Sequence, residues 1–150
     1  MTPKNHRIFL DTSVVFAAVL SPTGGARKLF KLGEVGLLHL VVGPTVLREC
    51  EDVVQRKAPA SLPTLAQLLS SASLETSPAP TKKQINAAKV HVEYAPDAHV
   101  LAEAMLANPD WFVTHDKEHF LNHRSKINLP FEIGTPGDVI QRIKDDYTLP

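Results

Sequence analysis

The chain has 150 residues, with 16 basic and 16 acidic side chains and a formal net charge of zero. That length suits one domain, 1–150, with a core that needs no staples. The balanced charge argues against a protein that coats nucleic acid through a strongly basic surface. Its single cysteine, Cys50, excludes an intrachain disulfide and fits a reducing compartment. Hydrophobic residues are 43% and charged residues 21% of the total, the balance of an ordinary globular domain. Met1 to Arg7 is short and polar, and the apolar run behind it is broken by Asp11 and stops at Ser21–Pro22. It lacks the shape of a signal peptide, and no stretch approaches the ~20 apolar residues of a membrane span. A cytoplasmic protein without a membrane partner is the expectation.

In chain order, Arg7 to Asp11 is too brief for a helix and reads as a buried parallel strand. Val14 to Leu20 reads as a helix that Thr12 or Ser13 would cap. A loop at Ser21–Gly25 leads to a second helix, Ala26 to Val35. Leu38 to Val42 is a second strand, closed by Gly43. Pro44 opens a helix to about Arg56, where the missing proline N–H costs little. The next stretch predicts a helix over Leu62 to Leu69 and a short strand near Leu74–Glu75. Thr81 starts another helix to about Val92, and Pro96–Asp97 opens one to about Ala107. Trp111 to Thr114 is a third main strand, followed by a polar turn and a short helix over Glu118–Asn122. Phe131 to Ile133 is the fourth, and Gly134-Thr-Pro136 leads into a last helix to about Lys144. Strands alternating with helices predict a three-layer α/β/α sandwich with a mainly parallel sheet.

Ligands of open α/β sheets bind beyond the carboxyl ends of the strands. Asp11 ends the first strand and Asp116 follows the third, so both belong to that rim. Glu49 lies about one turn into the helix after the second strand and starts from the same rim. Asp97 sits in the first turn of the helix that feeds the third strand. If that helix is a full crossover it is expected to begin at the opposite rim, unless an added helix pair brings its N-terminus to the site.

Gathered carboxylates suit a hard divalent cation. Mg²⁺ takes oxygen ligands, and a pair of such ions can activate a water and stabilise the leaving oxygen of a phosphodiester. Four acids in one cleft repel each other unless a cation is present. Taken singly, each acid has a plainer reading: Asp11 and Asp97 as helix caps, Glu49 as a solvated helix face, Asp116 as a turn residue.

The pieces Ile8-Phe-Leu-Asp-Thr-Ser13, Val41-Val-Gly-Pro-Thr-Val-Leu-Arg-Glu49, Pro96-Asp97-Ala-His-Val-Leu-Ala102, Phe112-Val-Thr-His-Asp-Lys117 and Gly134-Thr-Pro136 follow one another in a familiar order. No piece is specific alone, but the ordered set resembles the PIN-domain family, in particular its VapC-like toxins of toxin–antitoxin systems. The resemblance implies a nuclease fold and a site for Mg²⁺ (or Mn²⁺). Asp11 and Asp97 look like the principal metal ligands, joined by Glu49 and by Asp116 of the Thr-x-Asp motif. Ser13 and Thr114 look like the residues that orient the acids or the attacking water. It further implies an endoribonuclease acting on RNA, a small antitoxin that blocks the cleft, a homodimer, and an inserted helix pair that brings Asp97 to the site. Two positions depart from the pattern: Ala98 stands where relatives often carry an acid or Asn, and His115 where they often carry glycine.

Two other functions are weighed. One is a catalytically degenerate PIN domain that binds RNA or protein; Ala98 favours it and the four retained acids oppose it. The other is a phosphotransfer domain with Asp11 as the phosphorylated aspartate. Among the remaining residues, His115, His119 and His123 stand four apart and could pair on a helix to bind zinc, with a polar surface helix as the plainer reading. Cys50 reads as a small buried side chain rather than a nucleophile. Gly24–Gly25 lacks the Gly-Lys-Ser/Thr of a phosphate loop. Trp111 and Phe112 read as strand core, and Arg27, Lys28, Lys82 and Lys83 as solvated surface.

Overall fold

The apolar run ahead of Asp11 forms the central strand of a parallel sheet. The structure, a computed structural model, describes residues 6–148, with only the backbone of Thr148; Met1–Asn5 of the polar N-terminal stretch, Leu149 and Pro150 lie outside the described residues. The elements are β1 (His6–Leu10), α1 (Thr12–Leu20), α2 (Gly25–Glu34), β2 (Leu38–Val42), α3 (Pro44–Lys57), α4 (Leu62–Ser71), β3 (Glu75–Thr76), α5 (Lys82–Ala88), α6 (Ala95–Ala107), β4 (Trp111–Val113), β5 (Glu132–Gly134) and α7 (Pro136–Thr148). The five strands form one sheet in the order β3-β2-β1-β4-β5. Every strand pair is parallel.

Strands covered by helices on both faces bury most side chains, which is why β1 and β2 are largely apolar, with Arg7 and His39 the partly exposed exceptions. Ile8, Phe9 and Leu10 are fully buried. Phe9 pairs with Val41 on one side and Phe112 on the other, and stacks on the Phe112 ring at 5.7 Å. Phe120 packs on the same ring at 4.8 Å. Among the flanking helices, α2 packs with α7, and α3 with α6, which packs in turn with α5. α6 is small and apolar on most sides, and Ala98, Val100, Leu101, Ala102 and Ala104 are all buried.

The sheet edges are short. β3 has two residues, both exposed. Glu75 there receives Arg7 at 2.9 Å and lies 2.9 Å from His39 Nε2. The Arg7 hydrogen bond, helped by His39, pulls the Glu75 carboxyl down to about 2. At the far edge Glu132 of β5 receives Arg142 at 3.2 Å, and Arg142 also lies 5.5 Å over the Trp111 ring.

Several expectations need correction. α1 is capped by Asp11 itself, whose carboxylate accepts the Thr12 amide at 2.9 Å; the Thr12 and Ser13 hydroxyls are engaged across the site instead. The helix expected over Glu118–Asn122 is a series of turns with one 3₁₀ turn at Leu121–His123. The Asp116 side chain takes the His119 amide at 3.0 Å in the manner of a helix cap, but only turns follow it. His115, His119 and His123 therefore share no helix face. Thr81 is a cap rather than a helical residue, in a capping box with Gln84, and α5 stops at Ala88 rather than Val92; a longer helix would overrun the turn that folds α6 back against α5. Arg27 is not a free surface cation: its Nε donates to the Ala18 carbonyl at 2.7 Å, tying α2 to the end of α1.

The largest correction concerns the rim. α6 runs back along the sheet and feeds β4 through the left-handed Asn108. A helix that returns the chain to the start of a parallel strand must begin at the carboxyl rim. Asp97 thus lies beside Asp11 by ordinary crossover geometry, and the α5–α6 pairing is not what brings it there. No helix among the described residues is long and apolar enough to cross a membrane.

Candidate active site

At the carboxyl rim, β1 ends in Asp11, β4 ends before Thr114, and the first turns of α3 and α6 converge on them. Asp11, Glu49, Asp97 and Asp116 line one cleft of about 450 Å³, together with Thr12, Ser13, Tyr94 and His119.

Asp11 is the most constrained of the four. Its Oδ2 accepts from the Thr114 hydroxyl at 2.7 Å and lies 3.3 Å from Ser13 Oγ, while Oδ1 takes the Thr12 amide. Burial pushes its carboxyl up, the three hydrogen bonds oppose that, and the charge of Glu49 adds to the rise. Thr114 also accepts the Asp116 amide at 2.9 Å, so one buried hydroxyl links two of the acids. Ser13 Oγ accepts the His115 amide at 3.0 Å and lies 3.4 Å from Thr114 Oγ1. Thr12 donates its hydroxyl to Glu49 Oε2 at 2.6 Å.

Asp97 is held differently. Its Oδ2 is buried and has no hydrogen-bond partner among the described residues. His119 Nδ1 approaches it at 3.4 Å, an ion-pair distance without hydrogen-bond geometry, and lies 3.0 Å from Asp116 Oδ2. Burial pushes the Asp97 carboxyl up to about 6; the charges of Asp116, Asp11 and Glu49 push the same way, against the pull of His119. The hydrogen bond to Asp116 holds the His119 imidazole above its usual range.

Asp97, Asp116 and His119 each offer a ligand atom, all within 4.8 Å of one another. Asp11 and Glu49 line the same cleft but stand outside that closest group. The oxygens of Asp11 are engaged by the Thr114 and Ser13 hydroxyls and the Thr12 amide, and the Thr12 hydroxyl holds Glu49. His119 was not singled out by sequence beyond its four-residue spacing from two other histidines. In the sequence Thr12 reads only as a cap. Neither carried a local signal, because their partners come from α3, α6 and the turn after β4. Cys50 is fully buried on α3 and its thiol is pushed up to about 12 by burial and by Asp11 and Glu49, which agrees with an inert side chain. Ala98 is also fully buried and faces the core, not the cleft.

A family model described as PIN domain matches residues 7–118, a span that contains all four acids. The chain belongs to the PIN domain family. Two solved structures share the PIN fold seen here. One is a chain of VapBC2 from Rickettsia felis, crystallised bound to a DNA fragment from their promoter; it is 15% identical, with a TM-score of 0.64, over 85% of this chain and 96% of that one. The other is PAE2754 from Pyrobaculum aerophilum, 17% identical, with a TM-score of 0.63, over 95% of this chain and 99% of that one. No curated protein sequence matches the chain significantly. Family membership leaves no footing for a phosphotransfer domain.

Proposed function

We propose that this PIN domain is a divalent-metal-dependent endoribonuclease, one nuclease unit across 1–150, and the toxin of a toxin–antitoxin pair. The observation that carries the reading is Asp97: it has a buried carboxylate oxygen without a hydrogen-bond partner among the described residues, and it lines a cleft with three further acids. Such an atom is costly to leave unpaired. A cation there would satisfy it and offset the repulsion that raises the Asp97 carboxyl. The donor set fits: carboxylate oxygens suit Mg²⁺ and Mn²⁺, and the His119 imidazole adds a nitrogen that favours a transition ion. Asp97, Asp116 and His119 would hold the ion, with Asp11 and Glu49 lining the same cleft. When bound, the ion would supply Lewis acidity toward the phosphodiester and help ionise the attacking water.

The chain's own residues supply position. Glu49, Thr12, Asp11, Thr114, Asp116 and His119 form one run of contacts, each side chain held by the next or by its backbone. Side chains locked in this way stay close to working geometry without reorganising when substrate arrives. In this reading Asp11, Glu49, Asp97 and Asp116 are the catalytic acids, and Ser13 and Thr114 orient them.

RNA as substrate follows from the family resemblance and from a cleft whose charge needs a cation before a phosphate can enter. The toxin role is supported by the fold shared with a VapBC2 chain. We expect a small antitoxin that covers the cleft, a homodimer, and action in the cytoplasm.

Incubation of a mixed RNA pool with the purified protein and Mn²⁺, with and without EDTA, tests the reading. Cleavage should stop with EDTA and fall at least ~100-fold in Asp97→Asn. Cleavage that survives both would place the activity elsewhere. RNA binding without any cleavage by the wild type would favour the binding module.

A further inference from the structure

A second hollow opens beside the acid cleft and shares three of its residues, Tyr94, Asp97 and His119. His91, His123 and Lys126 are among the others that line it. The Tyr94 ring lies against His119 with centroids 5.0 Å apart and planes at 20°. His119 is fixed in turn by its ring contact with Asp116 and its backbone bond to the same carboxylate. Tyr94 is nonetheless 54% exposed, a large aromatic side chain left open at the mouth of a polar cleft. It directly precedes α6 and stands three residues before Asp97.

An aromatic ring braced on one face and open to solvent elsewhere is what an unstacked nucleobase requires. A basic side chain nearby serves the backbone phosphate of the same strand, and the exposed Lys126 lies in the same hollow. We infer that the Tyr94–His119 stack is a nucleobase platform, which seats a base of single-stranded RNA while the neighbouring phosphate lies in the acid cleft. The inference deepens the nuclease reading and rests on it for the choice of RNA. The hollow is continuous with the acids, so the seated base belongs to a nucleotide close to the cleaved bond. Glu93 and Glu118 also line the hollow, and they disfavour a phosphate at the base position itself.

The test measures binding rather than turnover. Fluorescein-labelled octamers of A, C or U are titrated with the protein at low salt in Ca²⁺, which offsets the charge of the acids, and followed by anisotropy, with each octamer checked for intactness on a gel. Tyr94→Leu should weaken the best-bound octamer by about fivefold to a hundredfold, and Tyr94→Phe should bind like the wild type. An abasic nucleotide moved along that octamer should weaken wild-type binding at one position and leave Tyr94→Leu unaffected there. Circular dichroism confirms that the variants fold. Equal affinity of wild type and Tyr94→Leu overturns the platform, as does an octamer series indifferent to the abasic site, or no binding of any octamer. Cleavage of the RNA pool in Mn²⁺ is scored separately. A protein that cleaves but ignores Tyr94→Leu loses only the platform; one that shows the Tyr94 effect but never cleaves loses only the nuclease reading.

Discussion

Both carboxylate oxygens of Glu103 on α6 accept the amide of Thr45 in the first turn of α3, at 3.1 and 3.0 Å. Glu103 is 1% exposed, and burial raises its carboxyl while the Thr45 bonds oppose the rise. An acid at a helix N-terminus answers amides that lack intrahelical partners. This contact fixes the helix that carries Glu49. It also fills the space over Gly43, where an added Cβ would lie 2.7 Å from Glu103 Cβ. Gly43→Ala should therefore destabilise the fold by about 1–3 kcal/mol, the cost of overpacking a filled site. Glu103→Ala should cost about 2–3 kcal/mol, with the Thr45 amide left unpaired. In the double variant the contacts with the carboxylate are gone and only the Cβ contact remains, so the two losses should not add. Urea denaturation of the two single variants and the double variant measures this; strict additivity would show that the two positions do not meet.

Asp97 gives a pH signature to the cation-free protein. Its folded carboxyl sits at about 6, against 3.8 in the unfolded chain. Between those values the folded state keeps a proton that the unfolded state releases, so stability falls as pH rises through that window and stays lower above it. The side chain is 13% exposed, and the loss should be on the order of 2 kcal/mol. Asp97→Asn removes its share of the slope, so the variant's advantage over wild type should be larger near about pH 7 than near about pH 4. Asp11 shifts in the same direction and keeps part of the slope in both proteins. Denaturation curves across that range decide the matter, and parallel curves for the two proteins would refute it.

His119 separates one metal from another. Its imidazole adds nitrogen to an otherwise carboxylate set, which matters more to a transition ion than to Mg²⁺. His119→Ala should weaken Mn²⁺ binding about tenfold and change Mg²⁺ binding by less than about threefold. Calorimetric titration of both ions against both proteins reads the difference directly. Equal losses for the two ions would mean that His119 only braces Asp116.

The sheet and the rim were legible in the sequence because each rests on a local signal. β2 spans Leu38–Val42 as its mostly apolar run implies, and α3 starts at Pro44 because proline is tolerated there. Asp11, Glu49 and Asp116 could be expected in one cleft because each stands at a strand end or in an early turn of a helix that starts beside one; Asp97 joins them only through the family resemblance, because its helix reads as a crossover from the opposite rim. What stayed hidden depends on partners distant in sequence. Glu103 reads as a solvated helix residue until α3 is placed against α6. His119 reads as surface until Asp97 and Asp116 meet it. The turns after β4 read as a short helix over Glu118–Asn122, and the Asp116 bond to the His119 amide is one that a helix N-terminus also makes, so no local residue marks the difference.

The margins of the sheet bear on solubility. An unpaired strand invites another chain to extend the ladder, and long flat edges are where association begins. Here one margin is only two residues wide and clasped by Arg7 and His39 around Glu75; the other is three residues wide and guarded by Glu132 with Arg142. An incoming backbone would find few amides to pair with and would have to displace charged side chains to reach them. The chain can therefore carry the buried apolar run Ile8–Leu10 in its central strand without offering its neighbours a template for aggregation.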